Sequence, residues 1–259
     1  MLPYLQPKTM NTPPVSLQLW SVRDEMKKDF AAAVKAVAEI GYPYVETAGY
    51  GSTDAEGAKA AIDAARLKVS GMHVGIDRLR DELSTVVTEA KLFGSSHVTC
   101  PGWPKEDYAT AAGCIKVGEE LNQIGAKLRE AGLRFSFHNH WAEFAVVEGR
   151  YVFDWMLDAS EPRNLGCQLD IYWAYRPGAD PVQFIREHGR RVTQLHFKDG
   201  DKERQKELGR GEVDYKTIMD VSEAIGACDY YIVEQEEYNF EPMESVRLCF
   251  EQLKAWGRA

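Results

Sequence analysis

Eight times along this chain a short apolar run is followed by a segment whose apolar side chains recur at helical spacing. The runs span 15–20, 44–47, 69–74, 97–100, 135–140, 166–170, 191–197 and 230–234. The helical segments span 26–40, 54–67, 79–93, 107–131, 150–159, 181–188, 215–225 and 243–256. In the first, Phe30, Val34, Val37 and Ile40 share one helical face, which Gly41 closes. Eight strand-then-helix repeats imply a closed (β/α)8 barrel, because open doubly wound sheets have fewer strands and a glycine-rich first turn. Neither GxGxxG nor the P-loop pattern occurs, so a nucleotide cofactor is not expected. A chain of 259 residues suits one such barrel. No linker divides it, and a single α/β domain is expected over 15–259, after a loose arm over 1–14 rich in Pro, Thr and Asn.

Charge and composition narrow the partners. A formal net charge of −9 argues against a nucleic-acid partner, whose binding draws most of its affinity from clustered cations. No segment approaches the length of apolar sequence that a membrane span needs, and the N-terminus has no apolar core of signal-peptide type. A cytoplasmic location without membrane contact is the expectation. The five cysteines are odd in number and contain no CxxC pair, which fits buried thiols in a reducing compartment. Whether the chain forms a homo-oligomer is left open.

The chemistry sits at the ends of the apolar runs, where the loops of a barrel converge on its axis. The fifth run closes as Phe137-His138-Asn139-His140-Trp141-Ala142-Glu143-Phe144, and strand alternation turns His138 and His140 the same way. The sixth, seventh and eighth runs end at Asp170, His196 and Glu234 after strongly apolar neighbours. Burying three such groups together without a cation would be costly, so one divalent cation is expected at this mouth. Glu46, His73 and Lys198 also fall at or just beyond strand ends, and Trp20, Trp103, Trp141 and Trp173 offer faces on which a pyranose ring can stack. His73, Trp103, Trp173, Lys198 and Arg204 are the expected substrate contacts. In the run Glu234-Gln235-Glu236-Glu237, only the first member is expected to reach the site.

Several motifs together carry a resemblance. They are Gln18-Leu19-Trp20-Ser21-Val22-Arg23-Asp24, the segment from Gly41 to Glu46, Ser70-Gly71-Met72-His73, Leu169-Asp170, Leu195-His196-Phe197-Lys198-Asp199, the segment from Gly209 to Asp214, and Ile232-Val233-Glu234. With them the chain resembles the xylose-isomerase-like superfamily of metal-dependent TIM-barrel sugar isomerases and epimerases, over nearly its whole length. The resemblance implies metal ligands at Asp170, His196 and Glu234. It also implies a fourth, usually a Glu on the fifth strand commonly followed by Asn-His. Here His138 stands where that Glu belongs. In one model His138 binds the metal and Glu143 meets substrate hydroxyls. In the other Glu143 folds back as the fourth ligand, leaving His140 or His138 as the acid/base. The His138-x-His140 pairing with Glu143-Phe144 resembles a subgroup that shares the whole motif, so Glu143 is the expected ligand and His140 the expected acid/base. Mn²⁺, Co²⁺ or Mg²⁺ suits the carboxylate-rich set, and a His-rich set shifts preference toward Zn²⁺ or Co²⁺.

A cation that chelates a carbonyl and its neighbouring hydroxyl acidifies the adjacent C–H, so a positioned His or Glu can move the proton. The expected function is therefore isomerisation or epimerisation of a small sugar, keto-sugar or polyol derivative, with Glu234, His140 and His138 as the proton-moving candidates. The alternative is a lyase or hydratase acting on 3-keto-glycosides or related keto-sugars. A non-catalytic sugar-binding barrel is the alternative of another class, and a nucleic-acid repair role is disfavoured by the acidic charge.

Overall fold

The computed structural model describes residues 12–259. Eight strands form its centre: β1 Val15–Gln18, β2 Tyr44–Thr47, β3 Lys68–His73, β4 His97–Cys100, β5 Arg134–His138, β6 Gly166–Asp170, β7 Val192–Phe197 and β8 Tyr230–Val233. Each pairs in parallel with the next, and β8 pairs with β1 to close the barrel, with helices around it. Of the arm expected over 1–14, residues 1–11 lie outside the described residues. Residues 12–14 lead directly into β1, and the Pro14 carbonyl accepts from the Tyr231 N–H at 3.1 Å.

The strands are buried on both faces, and the two faces differ in kind. Leu17, Val45, Phe137, Leu169, Leu195 and Val233 belong to one apolar core shared with the helices. The alternating positions Gln18, Glu46, His138, Gln168, Gln194 and His196 are just as buried but polar. They satisfy one another across the barrel: Gln168 Nε2 donates to Glu46 Oε1 at 2.7 Å and to Gln194 Oε1 at 3.0 Å, and Gln18 Nε2 donates to Glu46 Oε2 at 2.7 Å. A Cβ on Gly71 would lie 2.7 Å from Glu46 Oε1, so glycine on β3 makes room for that carboxylate.

The helices depart from the periodicity where a side chain cuts it. The segment expected at 26–40 is two helices, Arg23–Lys28 and Phe30–Ile40. Asp29 is extended between them and caps the second by accepting from the Ala32 N–H at 2.9 Å. The segment expected at 79–93 likewise divides into Ile76–Asp81 and Leu83–Phe93. β1 and β5 end two residues early, at Gln18 and His138, which leaves Trp20 and His140 in the following turns. Three further elements gave no periodic signal: the helix Ile171–Tyr175 and two hairpins, Val146–Val147 with Arg150–Tyr151 and Asp199–Gly200 with Gln205–Lys206.

Candidate metal centre and its mouth

His138, Asp170, His196 and Glu234, from the ends of β5, β6, β7 and β8, bring one ligand atom each to within 4.8 Å of one another, all buried. His73 at the end of β3 forms an overlapping group with His138 and His196. Asp170 divides its carboxylate between two tasks. Its Oδ1 accepts from the Trp173 N–H at 2.8 Å and so starts the helix Ile171–Tyr175. Its Oδ2 has no hydrogen-bond partner among the described residues, although Lys198 Nζ stands 2.9 Å away as an ion pair outside hydrogen-bond geometry. A buried carboxylate oxygen left over in this way, beside two imidazoles and a second carboxylate, fits a divalent cation.

The surroundings tune these groups. Burial pushes the His138 ring well below the usual imidazole range, and the neighbouring His196 and His73 push it further, so it is a neutral donor. Burial would do the same to His196, but the Glu46 and Glu234 carboxylates outweigh it and raise the ring to about 9. His196 lies between them, 2.8 Å from Glu46 Oε2 and 3.0 Å from Glu234 Oε2. Burial disfavours the charge on Glu46, yet His73 and His196 hold it well below the carboxylate range. Lys198 is fully buried, and Asp170, Glu234 and Glu236 keep it charged against that burial. Its Nζ donates to Glu234 at 3.0 Å and to Glu236 at 2.5 Å.

Glu143 lies outside the cluster. Its Oε2 accepts from the His140 N–H and its Oε1 from the Tyr108 hydroxyl, each at 2.7 Å, and the His140 side chain accepts in return from the Glu143 N–H. The two residues thus form a capping box for the 3-10 turn Trp141–Phe144. Both carboxylate oxygens are taken, and His138, not Glu143, is the fifth-strand residue that brings a ligand atom into the buried four. The His140 ring packs edge-on against His138, with centroids 5.0 Å apart, and faces the cavity at the barrel mouth.

The expected substrate contacts scatter. His73 lines the same cavity, 2.7 Å from Gln168 Oε1 and 3.1 Å from Glu46 Oε2. Trp173 donates its Nε1–H to Glu236 at 3.1 Å. Trp103 borders a side recess with His140 and donates to Asp107 at 2.9 Å. Lys198 is too enclosed by carboxylates to face the cavity openly. Arg204 pairs with Asn239 on the loops above and lines none of the mouth cavities. Glu236, expected to face solvent, instead accepts from both Lys198 and Trp173 and borders the cavity. Glu46, expected at a strand end without an assigned role, and Gln168, which carries no expectation from the sequence, both border the centre. Their signal in the sequence was a polar side chain closing or interrupting an apolar strand.

The comparisons agree with this architecture. The family model described as xylose isomerase-like TIM barrel matches residues 34–256. Inosose dehydratase from Clostridium perfringens is 24% identical over 140 residues, which is 47% of this chain and 46% of that protein. Inosose dehydratase from Lacticaseibacillus casei is 24% identical over 136 residues, 45% of each. The matched part is thus under half the length of these relatives. Among solved structures, a sugar phosphate isomerase/epimerase from Parabacteroides distasonis superposes with a TM-score of 0.83 at 23% identity, covering 93% of this chain and 98% of the other. That likeness is one of fold.

Proposed function

Because the chain belongs to the xylose isomerase-like TIM barrel family, we propose that it is a divalent-metal-dependent lyase that removes water, or a comparable β-leaving group, from a small keto-sugar or keto-polyol. The donor set supports this. His138, Asp170, His196 and Glu234 would hold the ion, and two imidazoles with two carboxylates suit Mn²⁺, Co²⁺ or Zn²⁺. When bound, the cation supplies Lewis-acid polarisation of a carbonyl oxygen, which makes the adjacent C–H acidic.

His140 is the group poised to move the proton. It borders the cavity, while the ring of His138 beside it is committed to the cluster. It takes the proton from the carbon α to the carbonyl and returns that proton to the hydroxyl on the β carbon, which leaves as water. The C–C bond between those carbons becomes double, and no redox partner is needed. His73 approaches substrate hydroxyls from β3, held by Gln168 and Glu46. Trp20, 42% exposed at the same cavity, offers a face for the ring.

Isomerisation or epimerisation, the first expectation from sequence, begins with the same proton removal but needs a second acid/base across the substrate. Glu143 has both carboxylate oxygens hydrogen-bonded and Glu234 is engaged by His196 and Lys198, whereas His140 gives the capping box only one ring nitrogen, so elimination with a single acid/base fits these groups better. The relatives named inosose dehydratase support the same class.

The test is incubation of the manganese-loaded protein with inososes and keto-sugars in D2O. Loss of water with a new enone absorbance is expected. Deuterium in recovered substrate or its epimer, with no loss of water, would establish the isomerase reading instead, and ligand binding without exchange would mean a binding barrel. For the ligand set, His138→Asn should weaken metal binding by more than about tenfold, whereas Glu143→Ala should keep the metal and cost about 1 kcal/mol of stability through the lost cap. Elemental analysis and thermal melts read both. The opposite pattern would restore Glu143 as ligand.

A further inference from the structure

A cavity larger than the one at the four-residue cluster opens beside it at the barrel mouth. The cavity that carries His138 and Glu234 holds about 460 Å³. A neighbouring one of about 670 Å³ lies beyond Trp173, and Glu236 borders both, so the two adjoin at that residue. An inner space of this size already suits a single sugar ring, which leaves the outer one for something more.

The outer cavity is built from the same segments as the inner site. Asp170 caps the helix that carries Trp173, and the His140 capping box sets the turn that carries Trp141. The two indoles stand 5.0 Å apart at 54°, forming an angled wall. Trp141 is 46% exposed, an unusual position for so large an apolar face. Lys105 Nζ sits 4.0 Å from the centre of the Trp141 ring, and Arg176 stands 5.4 Å from that of Trp173. Across the cavity, Arg176 and Lys202 balance Glu236 and Glu237, so the lining is neutral in sum but rich in hydrogen-bonding groups. Aromatic faces meet the C–H faces of pyranoses, and mixed charges of zero sum bind hydroxyls without selecting an ion.

We infer that this outer cavity is a subsite for a second, neutral sugar ring, so that the substrate is a glycoside or disaccharide whose first ring lies at the four-residue cluster. The inference rests on that cluster being the reaction centre. Trp141 supplies the stacking face for the second ring, and Glu236 joins the two subsites.

The experiment is a binding titration by calorimetry on the full manganese-loaded chain, with maltose, cellobiose and lactose as two-ring probes, glucose as the one-ring probe and glucose 6-phosphate as the anionic probe. At least one disaccharide should bind about tenfold or more tightly than glucose, and Trp141→Ala should collapse that ratio toward one. The half-exposed Trp141 can be removed without opening the core, and a melt on the same samples checks this. Equal affinity for one- and two-ring probes, a ratio untouched by Trp141→Ala, or preference for the phosphate overturns the subsite. Water loss from a one-ring keto-sugar is scored separately. If it occurs while the ratio stays at one, the subsite fails and the lyase reading stands. If it does not occur while the Trp141-dependent ratio holds, the lyase reading fails and the subsite stands.

Discussion

Lys198 is the residue on which the charges of the centre turn. Its ammonium is fully buried within 3.0 Å of Asp170 and Glu234, two members of the ligand cluster, and beside Glu236. It neutralises part of an excess of negative charge that a divalent ion would otherwise balance alone, and it sits close enough to repel that ion. Removing one partner of a buried ion pair typically destabilises a protein by about 3–5 kcal/mol, because the remaining charge has neither water nor counter-ion. Lys198→Met should therefore lower the stability of the metal-free protein by an amount in that range. Saturating Mn²⁺ should return most of the loss, since the ion satisfies the same oxygens. Denaturant melts with and without the ion read the difference. A deficit that the metal leaves unchanged would mean that Lys198 packs the core and has no electrostatic role at the centre.

At the level of elements, the loop after β7 depends on one carboxylate. Asp199 accepts from the N–H groups of Gly200, Gly209, Gly211 and Val213 at 2.8 to 3.4 Å, folding the chain back on itself. A Cβ at Gly211 would stand 2.0 Å from Asp199 Oδ1, so the approach needs glycine. Asp199→Ala leaves these donors unpaired. It should accelerate amide exchange across 209–213 and destabilise the fold by about 1–3 kcal/mol, with the metal retained. Exchange unchanged from the wild-type chain would show that the loop is held by other contacts. The same scale explains what the sequence revealed and what it hid. The strands were visible because burial on both faces writes an apolar run with polar exceptions, and Asp170, His196 and Glu234 were visible as those exceptions at strand ends. The helix Ile171–Tyr175 and the turn Trp141–Phe144 are too short for a period to emerge and owe their existence to caps supplied by Asp170 and by the His140–Glu143 pair. Glu143 is ambiguous in the sequence for that reason. A carboxylate three residues after His140 is equally spaced for a ligand and for a capping box, and only the tertiary position of the Tyr108 hydroxyl separates the two.

Over the whole molecule, the barrel is an apolar shell around a polar axis. Leu17, Val45, Leu169 and Val233 seal the strands against the helices, while Gln18, Glu46, Gln168 and Gln194 form a hydrogen-bonded floor beneath the centre. Above that floor, Asp170 and Glu234 are buried with His196 and Lys198 in a protein of net charge −9. That charge concentrates cations near the surface, and under the proposed function the buried oxygens would hold one of them. A ligand that binds only the folded state stabilises it by about 4 kcal/mol at a thousand times its dissociation constant, and for a chain of this size that is a rise of roughly 8–15 °C in melting temperature. Chelation should therefore lower the melting temperature of the protein as isolated by about that amount, and Mn²⁺ should restore it. Asp170→Asn should abolish the response, because the amide keeps the shape of the side chain but offers the ion a neutral oxygen. A melting temperature indifferent to chelator and ion alike, in wild type as in Asp170→Asn, would mean that Lys198 alone balances the buried carboxylates and that the four converging ends of β5 to β8 serve the fold without a metal.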